Sequence, residues 1–154
     1  TDLSKSSTAA FEHATYIAKK TGAEIHILHV VEKLSNEAKI TLQTYVMDRK
    51  SRHELLQERV RNAESKLHQR QDNFWDNLHP DEVDVRKQIK SINVVEAFPA
   101  ETILKYAKDL DVDLIVMGSH EKGIMHTFLG SVAQNVLNRA HVPMMIIPIA
   151  VKEG

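Results

Sequence analysis

The chain has no cysteine. That excludes disulfides and any thiolate metal site, and it fits a reducing compartment. It has no excess of either charge: 20 Lys and Arg stand against 21 Asp and Glu, a formal net charge of −1. Bulk charge therefore points to no nucleic-acid partner. Nothing approaches the roughly 20 consecutive apolar residues of a membrane span. There is no signal-peptide pattern, no internal repeat and no low-complexity segment. A chain of 154 residues suits one domain, residues 1–154, burying roughly 70% of its unfolded surface. The expectation is a soluble, cytoplasmic protein with no nucleic-acid partner and no membrane span.

What is present concentrates between Val112 and Pro148. Val112, Leu114, Ile115, Val116 and Met117 form a short apolar run, as in a strand covered on both faces. It ends at Gly118-Ser119-His120. Gly130-Ser131 then opens a helical pattern with Val132, Val136 and Leu137 on one face. A Gly-Ser pair at a helix start directs backbone N–H groups and a hydroxyl outward, which favours an anion. The layout predicts phosphate held between the carboxyl end of a parallel strand and a helix start.

Elsewhere the pattern alternates. Residues 4–20 predict a helix with Ser6 or Ser7 as cap, Phe11, Ala14, Ile17 and Ala18 inward, and Gly22 as the stop. Residues 23–31 predict a buried strand, residues 32–50 a short helix or a covering loop, and residues 51–77 a long helix. Leu56, Val60, Ala63, Leu67 and Phe74 recur along that helix at helical spacing, which favours packing on a sheet over a coiled-coil seam. Trp75 stands at the stripe's end, as a cover or a partner contact. His79-Pro80-Asp81 reads as a turn. Val83, Val85 and Ile89 predict a strand near a sheet edge. Pro99 starts a helix at its first position, with Ile103, Leu104, Ala107 and Leu110 inward. The strand 112–117, a helix 131–140 and a last strand Met144–Ile147 follow. Such alternation predicts an α/β, doubly wound parallel sheet. The first element is a helix, so a feeding strand of about ten residues is expected ahead of Thr1.

Taken together, these stretches resemble the universal stress protein family along essentially the whole chain. Asp2-Leu3-Ser4 resembles the Asp-x-Ser after that family's first strand, and Leu28-His29-Val30 the end of its second. Phe98-Pro99-Ala100-Glu101-Thr102-Ile103 resembles the helix start after its third strand. Met117-Gly118-Ser119-His120 and Leu129-Gly130-Ser131-Val132 bracket its nucleotide loop, and Val142-Pro143-Met144-Met145-Ile146-Ile147 resembles its final strand. The resemblance implies a Rossmann-like five-stranded sheet of order 3-2-1-4-5, helices on both faces, and a homodimer through the last strand, Met144–Ile147. It implies ATP, or AMP or ADP, as regulatory ligand in a stress response, with Mg2+ as an optional companion. Asp2 and the backbone of Val30 would meet the adenine or ribose. Met117 and Gly118 would line base and sugar. Gly130, Ser131 and Val132 would hold phosphates. His120 and His126 fall inside the loop by position, either as phosphate donors or as mobile surface residues.

The chain departs from the family pattern at Glu121, which stands where a second Gly is usual, and the loop to Gly130 is one residue short. A carboxylate beside a triphosphate is unfavourable unless it faces away or meets a metal. Gly123 can restore flexibility, and Lys122 can offset the charge. The alternatives are a nucleotide-free dimeric interaction module and, behind it, a slow ATPase. Glu121 separates the first two readings: facing solvent it permits phosphate, and facing the Gly130 amides it occupies the site. No Walker motif is present, because Ile124 and Met125 follow Gly123 where Lys and Ser/Thr are required. Gly130-Ser131 is not a nucleophile elbow, no base for hydrolysis can be named, and Asp111 and Asp113 read as solvated strand-entry residues. The expectation is therefore a protein that is not an enzyme. Among the nine histidines, His26 and His29 face opposite sides of a strand and cannot chelate together. His29 is expected as a satisfied strand-end residue, and His53 and His68 are expected in solvent. No zinc site is expected.

Overall fold

The computed structural model describes residues 1–77, 80–119 and 129–148, with the backbone alone at residues 80–83. Helix α1 (Lys5–Thr21) begins at Ser4, whose Oγ accepts the Ser7 amide at 3.2 Å. Ser4, rather than Ser6 or Ser7, is thus the cap; Ser6 and Ser7 are buried within the first turn. Gly22 closes the helix at φ 75°, its N–H donating to Ala18 O at 2.8 Å. A left-handed residue there needs no Cβ, as expected.

Strand β1 (Ile25–Glu32) pairs in parallel with β2 (Ile89–Ala97), Ile27 opposite Ile92 and Val30 opposite Val95. Between them lie α2 (Asn36–Tyr45), capped by Ser35, and α3 (Arg49–Asp76), capped by Asp48. Helix α2 buries none of its residues. Helix α3 packs on β1 and β2 and buries Ala63 and Leu67. Leu67 forms a core with Leu3 and Ile27, flanked by Phe11, Ile25, Ile89, Ile92 and Val94. The apolar stripe of α3 is thus a sheet-packing face. At its end Phe11, Phe74 and Trp75 meet edge to face, with centroids 4.9 to 5.9 Å apart.

One expected strand segment is replaced. Val83 and Val85 belong to a 3₁₀ helix, Pro80–Gln88, and β2 starts only at Ile89. Two contacts fit the tighter winding. Lys87 and Asp84, three residues apart, pair at 2.7 Å, as eclipsed i,i+3 positions allow. Gln88 Nε2 donates to Ala18 O at 2.9 Å, and Val85 is buried.

Helix α4 (Pro99–Asp109) starts at its proline, as expected. Strand β3 (Ile115–Gly118) begins later than Val112, because the Val112 amide still bonds to Ala107 O and Asp111 holds a positive φ of 49°. Helix α5 (Ser131–Leu137) is shorter than expected, with Asn138 as its cap. Strand β4 (Met144–Ile147) has the expected bounds and pairs in parallel with β3, Ile115 opposite Met144 and Gly118 opposite Ile147.

The fold is α/β, with helices against parallel strands. The described strands form two two-stranded sheets, β1-β2 and β3-β4. Helix α1 packs on β3 and β4 and also touches β1, so it spans both.

Candidate functional site

The carboxyl ends of β1 and β3 meet at the start of α1. The meeting is built by a short polar turn. Asp2 Oδ1 accepts the Ser4 amide at 2.8 Å, a side-chain turn that seats Leu3 at φ 63°. Positive φ is uncommon for leucine. It is held here because Leu3 is buried against Ile27 and Leu67. Burial alone would raise the Asp2 pKa, but hydrogen bonds from Ser4 and Ser7 outweigh it and hold the carboxyl below its ordinary value. Asp2 is therefore a fixed, ionised acceptor at neutral pH.

Around this turn, Thr1 Oγ1 donates to Ser7 Oγ at 2.9 Å, and the Oγ atoms of Ser4 and Ser6 lie 3.0 Å apart. The Ser4 carbonyl accepts Ser7 Oγ at 2.9 Å and Arg70 Nη1, from α3, at 3.2 Å. The turn is pinned to β1 by the Thr1 nitrogen, which donates to Leu28 O at 2.8 Å, and by His29 Nδ1, 2.7 Å from Thr1 O. His29 is buried and partnered, as expected for a strand-end residue. His26 bonds instead to Ser91 Oγ at 2.8 Å, and His53 and His68 are exposed.

On the other sheet, Gly118 ends β3 against the first turn of α1. A Cβ there would lie 2.4 Å from Ser6 Oγ and 2.8 Å from the Ser6 carbonyl carbon. Glycine permits that approach. Beyond Gly118, the Ser119 amide donates to Ile147 O at 3.0 Å, and the Gly130 amide donates to Ser119 O at 2.7 Å. This bond brings the start of α5 to the end of β3.

Of the expected site residues, Asp2 thus lies in the turn before α1, Val30 on β1, Met117 and Gly118 at the end of β3, Gly130 at the cap of α5, and Ser131 and Val132 in its first turn. His120, Glu121 and the rest of residues 120–128 lie outside the described residues. The Gly130 N–H, one of the expected phosphate donors, donates instead to Ser119 O. The sequence pattern marked Ser6 or Ser7 as the cap and Ser4 only as part of the Asp-x-Ser stretch, and it gave no sign of Arg70. The dense serine run was a visible signal; the reach of Arg70 across 66 residues was not.

Among the described residues no group of three or more His, Asp or Glu is placed to hold a metal. Nor is any helix there long and apolar enough to cross a membrane.

Comparison with known proteins then gives a consistent result. The family profile for the universal stress protein family matches residues 1–148. The chain is 30% identical over 159 aligned positions to universal stress protein MJ0531 of Methanocaldococcus jannaschii, covering 99% of this chain and 81% of that protein. It is 28% identical over 148 positions to universal stress protein MJ0577 of the same organism, covering 96% and 90%. The solved structure of MJ0577 superposes with a TM-score of 0.69 at 25% identity, covering 96% of this chain and 91% of that one. A universal stress protein solved in complex with cAMP shares the fold, with TM-score 0.50, 22% identity, and coverage of 96% and 91%.

Proposed function

The chain belongs to the universal stress protein family, and from that premise we propose that it binds ATP, or ADP or AMP, as a regulatory ligand. The observation that carries the reading is one linked assembly: the Asp2 turn is tied to β1 through Thr1 and Leu28, the first turn of α1 abuts Gly118 at the end of β3, and Ser119 links that end to Gly130. It lies at the carboxyl ends of parallel strands, where α/β folds place their ligands. In this reading the ionised Asp2 accepts from the ribose or the adenine amino group. The Val30 backbone meets the base. Met117 offers an apolar wall, and Gly118 lets the sugar lie close. The amides of Ser131 and Val132 and the Ser131 hydroxyl take the phosphates. Among the described residues no carboxylate cluster is placed to cage a metal, so in this reading Mg2+ rides on the phosphates and water. Occupancy would order the segment between Gly118 and Gly130 and so change what a partner protein meets. A cytoplasmic homodimer is part of the same proposal. No residue is assigned a catalytic role.

The test is direct. Freshly purified protein is denatured, and the supernatant is chromatographed for adenine nucleotide. In parallel, ATP is titrated against the melting temperature. Released nucleotide, or a rise in melting temperature with ATP, is expected. If neither occurs, the nucleotide reading fails and the dimeric interaction module replaces it.

A further inference from the structure

Strand β2 pairs with β1 on one side; its other edge has no partner strand among the described residues. Which groups face that edge follows from one bond. The Lys33 amide donates to Ala97 O, so Ala97, opposite Glu32, turns its backbone toward β1. In a strand this direction alternates. Ser91, Asn93 and Val95 therefore also face β1, while Ile92, Val94 and Glu96 turn their N–H and C=O groups outward. Another extended chain can pair with such a row.

Two charges flank the row. Lys90 is exposed, Glu96 is half-buried, and they stand three residues on either side of Asn93. Each has a partner within the chain: Lys90 pairs with Glu24 at 3.3 Å, and Glu96 with Arg59 at 3.5 Å. The register with β1 also slips by one residue at Lys90. Charge and a slipped register on an edge discourage pairing with arbitrary strands. One arrangement escapes this. When a second copy lies antiparallel about a two-fold axis at Asn93, each Lys90 faces a Glu96. Each Ile92 then faces a Val94, outward groups meeting outward groups, as hydrogen-bonded pairs require. With the axis at Ile92 or Val94 the charges face uncharged residues, and with it at Lys90 or Glu96 like charges meet. The helices leave room. Helix α3 packs on both β1 and β2, so its two copies would stand about three strand spacings apart, roughly 14 Å. Packed helices need only about 8–10 Å.

We propose that the outer edge of β2 joins a second copy of this chain, antiparallel about an axis at Asn93. The ion pairs Glu24–Lys90 of one copy and Glu96–Arg59 of the other meet end to end. The interface is isologous, and its two charge contacts fix the register. It is separate from the homodimer proposed through Met144–Ile147, and weaker, because its ladder is short and charged at both ends. It therefore forms as that dimer is concentrated. It does not rest on the nucleotide reading, and its test uses no nucleotide.

The lack of native cysteine makes a cross-link unambiguous. Asn93→Cys puts one thiol of each copy on the axis, where facing Cβ atoms come within about 4.5–5.5 Å. Under mild oxidation this variant, concentrated, should form a two-chain disulfide. Val95→Cys lies about 13 Å from its counterpart and should link at least tenfold more slowly. Adding Lys90→Glu to Asn93→Cys opposes glutamates, and adding Glu96→Lys opposes lysines. Each should link about tenfold more slowly alone. Mixing the two should restore the rate of Asn93→Cys, because unlike charges face again; mixing does not cure a folding defect. A further arm needs no cysteine: the sedimenting mass of wild type should rise with concentration, and Lys90→Glu should reduce that rise. No disulfide at Asn93→Cys, faster linkage at Val95→Cys, a mixture that stays slow, or a wild-type mass that does not rise with concentration would each overturn the proposal.

Discussion

Gly118 shows how one residue can serve packing and ligand together. The family resemblance implied a place for it beside base and sugar. The structure supplies a nearer cause, since the first turn of α1 occupies the space a side chain would need. We expect Gly118→Ala to cost about 1–3 kcal/mol, as overpacking typically does, read as a lower urea midpoint. Adding Ser6→Ala should not restore stability, because the Ser6 carbonyl carbon, 2.8 Å from the new Cβ, remains. Full rescue by the double variant would show that the hydroxyl alone was the obstacle. Asp2 carries a pH signature. Its carboxyl is held below the ordinary value in the fold, so ionised Asp2 favours the folded state at pH above its unfolded pKa, near 3.9. That stability is lost as pH falls through the depressed folded pKa. Asp2→Asn keeps an acceptor oxygen for the Ser4 amide but no charge. Urea melts should therefore show the wild-type advantage present at pH 6 and shrinking below about pH 4; an advantage that does not change with pH would sink the argument. None of this was legible beforehand, since neither the hydroxyl partners of Asp2 nor the neighbour of Gly118 is encoded in local spacing.

Elements were legible where local chemistry decides them and obscure where distant partners do. Pro99 and Gly22 fix a helix start and a helix stop by their own backbone preferences, and both behaved so. Strand β2 was recognised only at Ile89, because Lys90, Ser91 and Glu96 interrupt its apolar run. The structure explains why a strand tolerates them: Lys90 pairs with Glu24 at 3.3 Å, Ser91 with His26 at 2.8 Å, and Glu96 with Arg59 at 3.5 Å. Those partners lie on β1, just before it, and on α3, so no window of β2 alone could show them. The start of α1 is the converse case. Three serines compete for the cap, and only Ser4 has extended geometry with the Ser7 amide on its oxygen. Ser4→Ala should cost about 0.5–2 kcal/mol, with Ser6→Ala leaving that cap intact. Thermal melts of the two variants compare them; a variant at Ser4 as stable as wild type would move the cap elsewhere.

At the scale of the molecule, the proposed homodimer can be tested through the backbone of one strand. Across the β3–β4 ladder, Ile115 N–H donates to Pro143 O and Ser119 N–H donates to Ile147 O. Residues facing β3 therefore alternate, and the intervening Met144 and Ile146 direct their N–H and C=O groups to the far edge. That edge has no partner strand among the described residues. Its side chains are Met144, Met145, Ile146 and Ile147, an uncharged row that would be an aggregation hazard if left open. Pairing with a second copy about a two-fold axis would cover it. Ile146→Pro removes an outward donor while sparing the bonds to β3, and proline is tolerated on edge strands. Sedimentation should find wild type dimeric and Ile146→Pro monomeric at the same concentration, with an unchanged far-ultraviolet spectrum. Met145→Pro would instead strike the β3 ladder and should lower the melting temperature whether or not a dimer forms. If wild type sediments as a monomer, or if Ile146→Pro still dimerises, the shared edge is not β4. The carboxyl end of β4 meets Ser119, one residue beyond Gly118. A dimer across that edge would therefore brace the same link that brings Gly130 to the end of β3, a physical route from assembly to the proposed ligand site.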